Sequence, residues 1–555
     1  MSLAAAAMAA ATLQLAAVQQ AEACGCFTPP DPTVPIVQAG ERIAFAMEDG
    51  KVTSHIQIQY SGPAEQFGWL LPLPSIPDLQ VGTDELFTNL INSTQPRYRL
   101  VSEFHGNCAW QNNRGGGFGG GSPDSAGENE SPPGDDGPGV LVVESSVGPY
   151  DYAVLRADSK EPMLEWLDEN GYFVPAGTDE AVDAYIRPGA YFLALRLQKG
   201  NEVGDLQPVV VEYASDLPMI PIVLTSVAAD PDMGVQVWVL GDHRAIPRNY
   251  FHTHINDALL DWLNGAQNYV SVLTDAVDEA DGHHSFVTEY AGGSDRMVGL
   301  LDWEGRFGSV DQLASITEAV QFVQYLRSNG YPFNSILVNI LDAELPVPSA
   351  LEAQGITPAQ YLSNLDWYLG SYKDQNPELF EDLDVDFNPV TVAASLDERI
   401  RTPTLEAGQM FRDNPYMTRM FTTLSPDEMT KDPVFSFNPD LEAVDNEHEG
   451  RLIYHCGLYS ENQSTTPVTI VTENGNNLYL PDGTNANPWL GSDMPSSQRI
   501  EILREEGPPE VVTDNDDVIR GFLGMSGCSV AGGGSAGWMV VALFALVAIR
   551  RRRRS

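Results

Sequence analysis

The strongest constraint on this chain is a change of hydrophobic period part-way along it. From Ile43 the apolar residues fall on every second position: Ile43, Phe45 and Met47 run up to Asp49-Gly50, and Val52, Ser54, Ile56, Ile58 and Tyr60 then alternate with Thr53, His55, Gln57 and Gln59. Period two is a strand pattern, and Asp-Gly between two such runs is a hairpin turn, here expected to have one wet face. The prolines of Trp69 to Pro77 confine the next extended segment to a sheet edge, because proline cannot donate to a ladder. Val140 to Val143, Tyr152 to Arg156, Tyr191 to Leu197, Val209 to Tyr213, Ile220 to Thr225 and Val235 to Leu240 continue the β pattern, with helices expected near Thr83–Asn92 and Pro162–Asn170. After Tyr250 the balance moves to helix. Leu313, Ile316, Val320 and Val323 form a stripe ending at Asn329-Gly330, and Thr357 to Gln360 and Ser425 to Glu428 read as capping boxes with proline at the first helical position. Strands return at Leu452–His455, Thr469–Thr472 and Leu478–Leu480. The expected class is α+β: a β-rich, sandwich-like domain over 24–242, a helix-rich domain over 243–456, and a strand and loop region with an acidic linker over 457–527.

The two ends point out of the cytoplasm. Residues 1–23 are an Ala-rich apolar stretch closing on Ala21-Glu22-Ala23, a small-x-small signal-peptidase site, although no basic residue precedes it. In 528–555, Cys528 is followed by a Gly/Ser spacer, an apolar run from Trp538 to Ile549, and Arg550 to Arg554. That run is short for a span of about 20 residues, so a removable sorting signal and a retained membrane anchor are both open. The tail resembles the myxobacterial C-terminal sorting domain (MYXO-CTERM), which implies export, processing near Cys528 and display at the outer surface, with the sorting machinery and the membrane as partners.

Export bears on the remaining cysteines, Cys24, Cys26, Cys108 and Cys456, which suit two disulfides in an oxidising compartment. Pairing within Cys24-Gly25-Cys26 is strained, so Cys108 and Cys456 are expected to bond to Cys24 and Cys26 in one order or the other. With 30 Lys and Arg against 77 Asp and Glu, the net charge of −47 excludes nucleic acid as a partner and favours cations or basic surface ligands. The tract 112–139 is a flexible Gly, Ser and acidic insertion with no strand leading in and no helix following, so its glycines do not make a phosphate loop.

Cys24 to Phe27, the Glu41–Tyr60 hairpin, Phe67 to Pro74, Trp166 to Tyr172 and Thr418 to Met429 together resemble a bacterial family known only as domain of unknown function 2330. The resemblance, running from about Cys24 to Cys456, implies an exported protein and supplies no catalytic residues.

Nucleophile elbows, Walker loops and zinc-protease helices are missing from the sequence. Asp384, Asp386 and Asn388 begin like a calcium loop, but Pro389 stands where Gly is needed; Asp514 to Asp517 reads as a solvated acidic loop. The one constellation with chemistry in it is histidine: His243 beside Asp242, His252 and His254, and His283 and His284 beside Asp281. If 252–254 is extended, both imidazoles share a face, and three imidazoles with a carboxylate can hold zinc or another transition metal. No cofactor is required by the sequence; a divalent metal is the one it suggests. The leading expectation is a non-catalytic binding, adhesion or envelope component at the cell surface. The alternative is a metal-dependent extracellular hydrolase built on the histidines.

Overall fold

A computed structural model describes residues 40–524, except 49, 59–67, 109–139, 157, 171–177, 199–205, 228, 382–386 and 458–461. Strands Glu41–Glu48 and Lys51–Ile58 form the expected hairpin, with Glu48 opposite Lys51 and Gly50 at φ +78°, the conformation for which such turns select glycine. The wet face expected of it is absent. Ile43 and Phe45 on one side and Ala44, Ala46 and His55 on the other are all buried, because the sheet that holds the hairpin is covered on both faces.

That sheet has ten strands, in the order Glu510–Asp514, Ser497–Ile502, Phe251–Ile255, Ser285–Gly293, Tyr416–Leu424, Met233–Gly241, Glu41–Glu48, Lys51–Ile58, Val209–Ala214, Asp78–Val81. Strands from both sides of residue 242 therefore share one hydrogen-bonded ladder; Met233–Gly241 alone pairs in parallel with Glu41–Glu48 and antiparallel with Tyr416–Leu424. A second sheet, in the order Gly68–Leu73, Tyr191–Leu197, Tyr150–Arg156, Leu141–Val147, packs on one face. Phe45, Val52, Val237 and Val239 meet Leu71, Val154, Leu193 and Leu195 there, which is the sandwich the alternation predicts. Each such side chain contributes about 1.5–3 kcal/mol by leaving water. Pro72 sits in the edge strand of the second sheet, as its missing N–H requires.

The opposite face is covered by helices Asp84–Thr94, Asp295–Leu301 and Thr402–Asp413, whose Leu86, Phe87, Met297, Leu301 and Phe411 pack on Ala44, Trp238, Leu240 and Met417. A further helical core within residues 307–400 is built around Phe322, Leu326, Leu337 and Leu341. The stripe from Leu313 to Val323 is divided between two helices, Val310–Ala314 and Ala319–Ser328, the second ending before Gly330 at φ +73°. Thr357 and Gln360 make the full capping box, whereas Ser425 to Glu428 makes one turn that no helix continues. Ile222–Thr225 is a short helix and not a strand: Pro221 precedes it, and the Asp432 carboxylate accepts the Val223 N–H at 3.1 Å.

A third sheet runs Asn477–Leu480, Val468–Val471, Glu447–Cys456, Arg97–Gly106. Its last two strands are parallel with Cys456 opposite Gly106, which brings Cys108 to Cys456 with Cα atoms 5.3 Å apart in a disulfide. The expected pairing of these two cysteines with Cys24 and Cys26 is thereby corrected: neighbouring parallel strands end together, and their cysteines meet. Cys24, Cys26, Cys528, the signal stretch, the 112–139 insertion, Asp384 and Asp386 lie outside the described residues. Asn388 caps the helix that begins at Pro389, and Asp516 and Asp517 form the first turn of the helix Asp516–Phe522, so the acidic run at 514–517 is a helix start.

Candidate metal centre

Strand Phe251–Ile255 pairs antiparallel with Ser497–Ile502, placing His252 opposite Glu501 and His254 opposite Arg499. Alternation puts His252 and His254 on one face, and residues directly opposed across an antiparallel pair share a face, so Glu501 joins them. Thr253 points the other way and hydrogen-bonds Ser285 at 2.6 Å.

His252 is 2% exposed. Its Nε2 lies 3.0 Å from Thr288 Oγ1 on the neighbouring strand Ser285–Gly293. With Nε2 bonded to Thr288, Nδ1 faces Glu501, whose Oε2 is 3.7 Å away; Nδ1 is buried with no hydrogen-bond partner among the described residues. Burial lowers the His252 pKa to about 3, against the pull of Glu501, so the ring is the neutral form that binds metals. His254 is half-exposed and places Nε2 3.2 Å from Glu501 Oε2, its ring centroid 4.7 Å from that of His252. Burial pushes the Glu501 carboxyl up, but the two imidazoles reverse this and hold it well below the usual carboxylate range. Arg499 Nη1 reaches the other oxygen, Oε1, at 3.4 Å.

An ion bound tetrahedrally at about 2.0–2.2 Å keeps its ligand atoms about 3.3–3.6 Å apart. One ligand atom from each of His252, His254 and Glu501 lies within 4.8 Å of the other two, and the distances from Glu501 Oε2 to His252 Nδ1 and His254 Nε2, 3.7 and 3.2 Å, bracket that spacing. A second group, Asp278, His283 and Glu428, fails the same test: His283 Nδ1 is only 2.5 Å from Glu428 Oε1, a close ion-pair contact with no room for an ion between. Glu428 also accepts the Ser425 N–H through Oε2 at 2.7 Å, so this group fastens a turn.

The five histidines of the sequence expectation thus separate. His252 and His254 come together; His283 belongs to the ion pair; His284 binds the Glu428 carbonyl and Thr430 at 2.9 and 3.1 Å; His243 and Asp242 are exposed in the turn before Arg244–Pro247. Glu501 and Thr288 are additional members. Glu501 carries the one weak signal, a lone acid within the alternating Ser497–Ile502 run, but its partner strand lies some 250 residues earlier.

The fold is that of an α+β protein, and within it two histidines and a glutamate lie close enough together that they could hold a metal ion. The chain belongs to a family of uncharacterised proteins conserved in bacteria (DUF2330), whose model matches residues 18–326. That match contains His252 and His254 and stops short of Glu501 and of Cys456, the expected limit of the resemblance. No curated protein and no solved structure matches the chain. Among the described residues, no helix is long and apolar enough to cross a membrane.

Proposed function

We propose that this chain is an exported, surface-displayed binding protein that holds one divalent transition-metal ion, zinc by preference, through His252 Nδ1, His254 Nε2 and Glu501 Oε2. The observation that carries it is the buried, neutral His252, whose Nδ1 is aimed at a buried carboxylate and left without another partner. Imidazole and carboxylate together suit zinc better than calcium or magnesium, which take oxygen ligands. The Cys108–Cys456 disulfide supports an oxidising compartment, and the Ala-rich leader and Cys528 tail support export and surface retention.

The half-exposure of His254 favours a second reading, a metal-dependent hydrolase. Three protein ligands with one open side are the arrangement in which zinc activates water. Elemental analysis of protein purified without chelator tests the first reading. About one zinc per chain in the wild type, lost in Glu501→Gln, supports it; zinc retained in that variant, or none in either, overturns it. Zinc-dependent turnover of ester or peptide substrates by the loaded protein favours the hydrolase.

A further inference from the structure

Between the two packed sheets, well away in sequence from the histidine strand, lies a cavity of about 130 Å3. Its walls include Ile43, Phe45, Ile56, Leu71 and Leu73, so most of its lining is hydrocarbon. One end is different. Glu41 is the first residue of the strand Glu41–Glu48, and period two directs it with Ile43 and Phe45 toward the second sheet. Its Oε2 is buried and has no hydrogen-bond partner among the described residues. Among the described residues lining the cavity, none forms an ion pair with it. Tyr185 donates to Asp432 at 2.8 Å, and Arg187, though it lines the cavity, is exposed.

A carboxylate oxygen buried without a partner carries an uncompensated desolvation cost, whereas an empty apolar cavity of roughly 150 Å3 takes up a single benzene-sized molecule. The two features fit one ligand. We infer that this cavity is a binding site for a small apolar primary amine, an aromatic or branched alkyl group seated among Ile43, Ile56 and Leu73 with its ammonium bonded to Glu41. Charge favours a cation over an anion here, since Glu41 lies inside a chain of net charge −47. Burial raises the Glu41 pKa to about 7, so the carboxyl is largely protonated below that pH and ionised above it. The other titratable groups lining the cavity are Tyr185, Tyr213 and Arg187; burial pushes both tyrosines upward, away from the window in which Glu41 titrates.

Benzylamine and benzyl alcohol, nearly equal in size, separate the cavity from the charge. In calorimetric titrations of the purified protein at pH 8, benzylamine is expected to bind saturably and at least about tenfold more tightly than benzyl alcohol, a charge-assisted hydrogen bond being the difference. Glu41→Gln keeps the shape and removes the ionised form, so the preference should fall to about unity while the alcohol still binds. Lowering the pH from 8 to 6 should weaken benzylamine binding in the wild type and leave the variant unaffected. Ile56→Phe, which fills the cavity, should abolish both; if it fails to fold, the amine-to-alcohol ratio in Glu41→Gln decides. Failure of both probes to bind, or equal weakening of both by Glu41→Gln, overturns the assignment. Zinc content plays no part in these measurements, so they stand or fall apart from the metal centre.

Discussion

A buried polar group reports what it touches, and several single residues here are legible in that way. Arg419 and Glu289, both fully buried, hydrogen-bond each other at 2.5 Å; Tyr269 donates to Glu289 at 2.7 Å, and the Arg419 guanidinium lies 5.2 Å from the Trp238 ring. Every strong charge in that group has an opposite one, which is what allows it to remain in the core. His55 has no such partner among the described residues. Burial alone lowers its pKa to about 4 from the ordinary 6.5. The unfolded chain therefore binds more protons than the folded one between those values, so the stability linked to His55 is complete above about pH 6.5 and is lost as the pH falls through the window. The loss amounts to something on the order of 3 kcal/mol at one pKa unit per 1.36 kcal/mol. Urea midpoints measured at pH 7 and pH 4.5 should converge in His55→Leu relative to the wild type; an unchanged pH dependence in the variant would contradict this assignment.

Among the elements, the third sheet depends most on a covalent bond. Strands Arg97–Gly106 and Glu447–Cys456 come from opposite ends of the chain and are closed by a disulfide with a sequence separation of 348. Constraining so long a loop in the unfolded chain is worth about 3–5 kcal/mol, so Cys108→Ser should lower the unfolding free energy by that amount, and dithiothreitol should lower the wild type equally without further affecting the variant. An unaltered denaturation midpoint would show the bridge to be dispensable. Elements with a strict local period were readable in advance: the Asp49-Gly50 hairpin, the Thr357 capping box and the strand Tyr191–Leu197 all formed where the residues placed them. What the sequence could not convey was which element lies beside which. His55 and Gln57 read as a solvent face because polar residues usually are one, yet Gln57 donates to Asp84 at 2.7 Å beneath a helix. Ile220 to Thr225 has β-forming residues, but a carboxylate 209 positions away fixes the Val223 N–H in a helical turn. The metal cluster shows both sides: the shared face of His252 and His254 follows from period two, while Glu501 depends on strand order.

At the scale of the whole molecule, ten strands from residue 41 to residue 514 share one sheet, so its edge nearest the chain end, Ser497–Ile502 and Glu510–Asp514, is tied to the rest through Phe251–Ile255. A metal bridging His252, His254 and Glu501 would fasten that seam just before the segment leading to Cys528. We propose that the tail is removed: as a helix, an apolar run of twelve residues would rise only about 18 Å against a hydrocarbon core of about 30 Å. Protein recovered from the native envelope should end near Cys528, and Cys528→Ala should be exported yet neither processed nor retained at the surface. Peptides spanning Trp538 to Ser555 in most molecules would instead identify a permanent anchor.

The metal centre is the claim on which the proposed function rests, and its coordination shell can be measured. X-ray absorption at the zinc edge of protein loaded with one equivalent of zinc should show two imidazole nitrogens and a carboxylate oxygen at about 2.0–2.2 Å, with no sulfur near 2.3 Å. In Glu501→Gln and His252→Ala that signature should disappear. A shell made of water and carboxylate oxygens alone, or one unchanged in both variants, would contradict the centre.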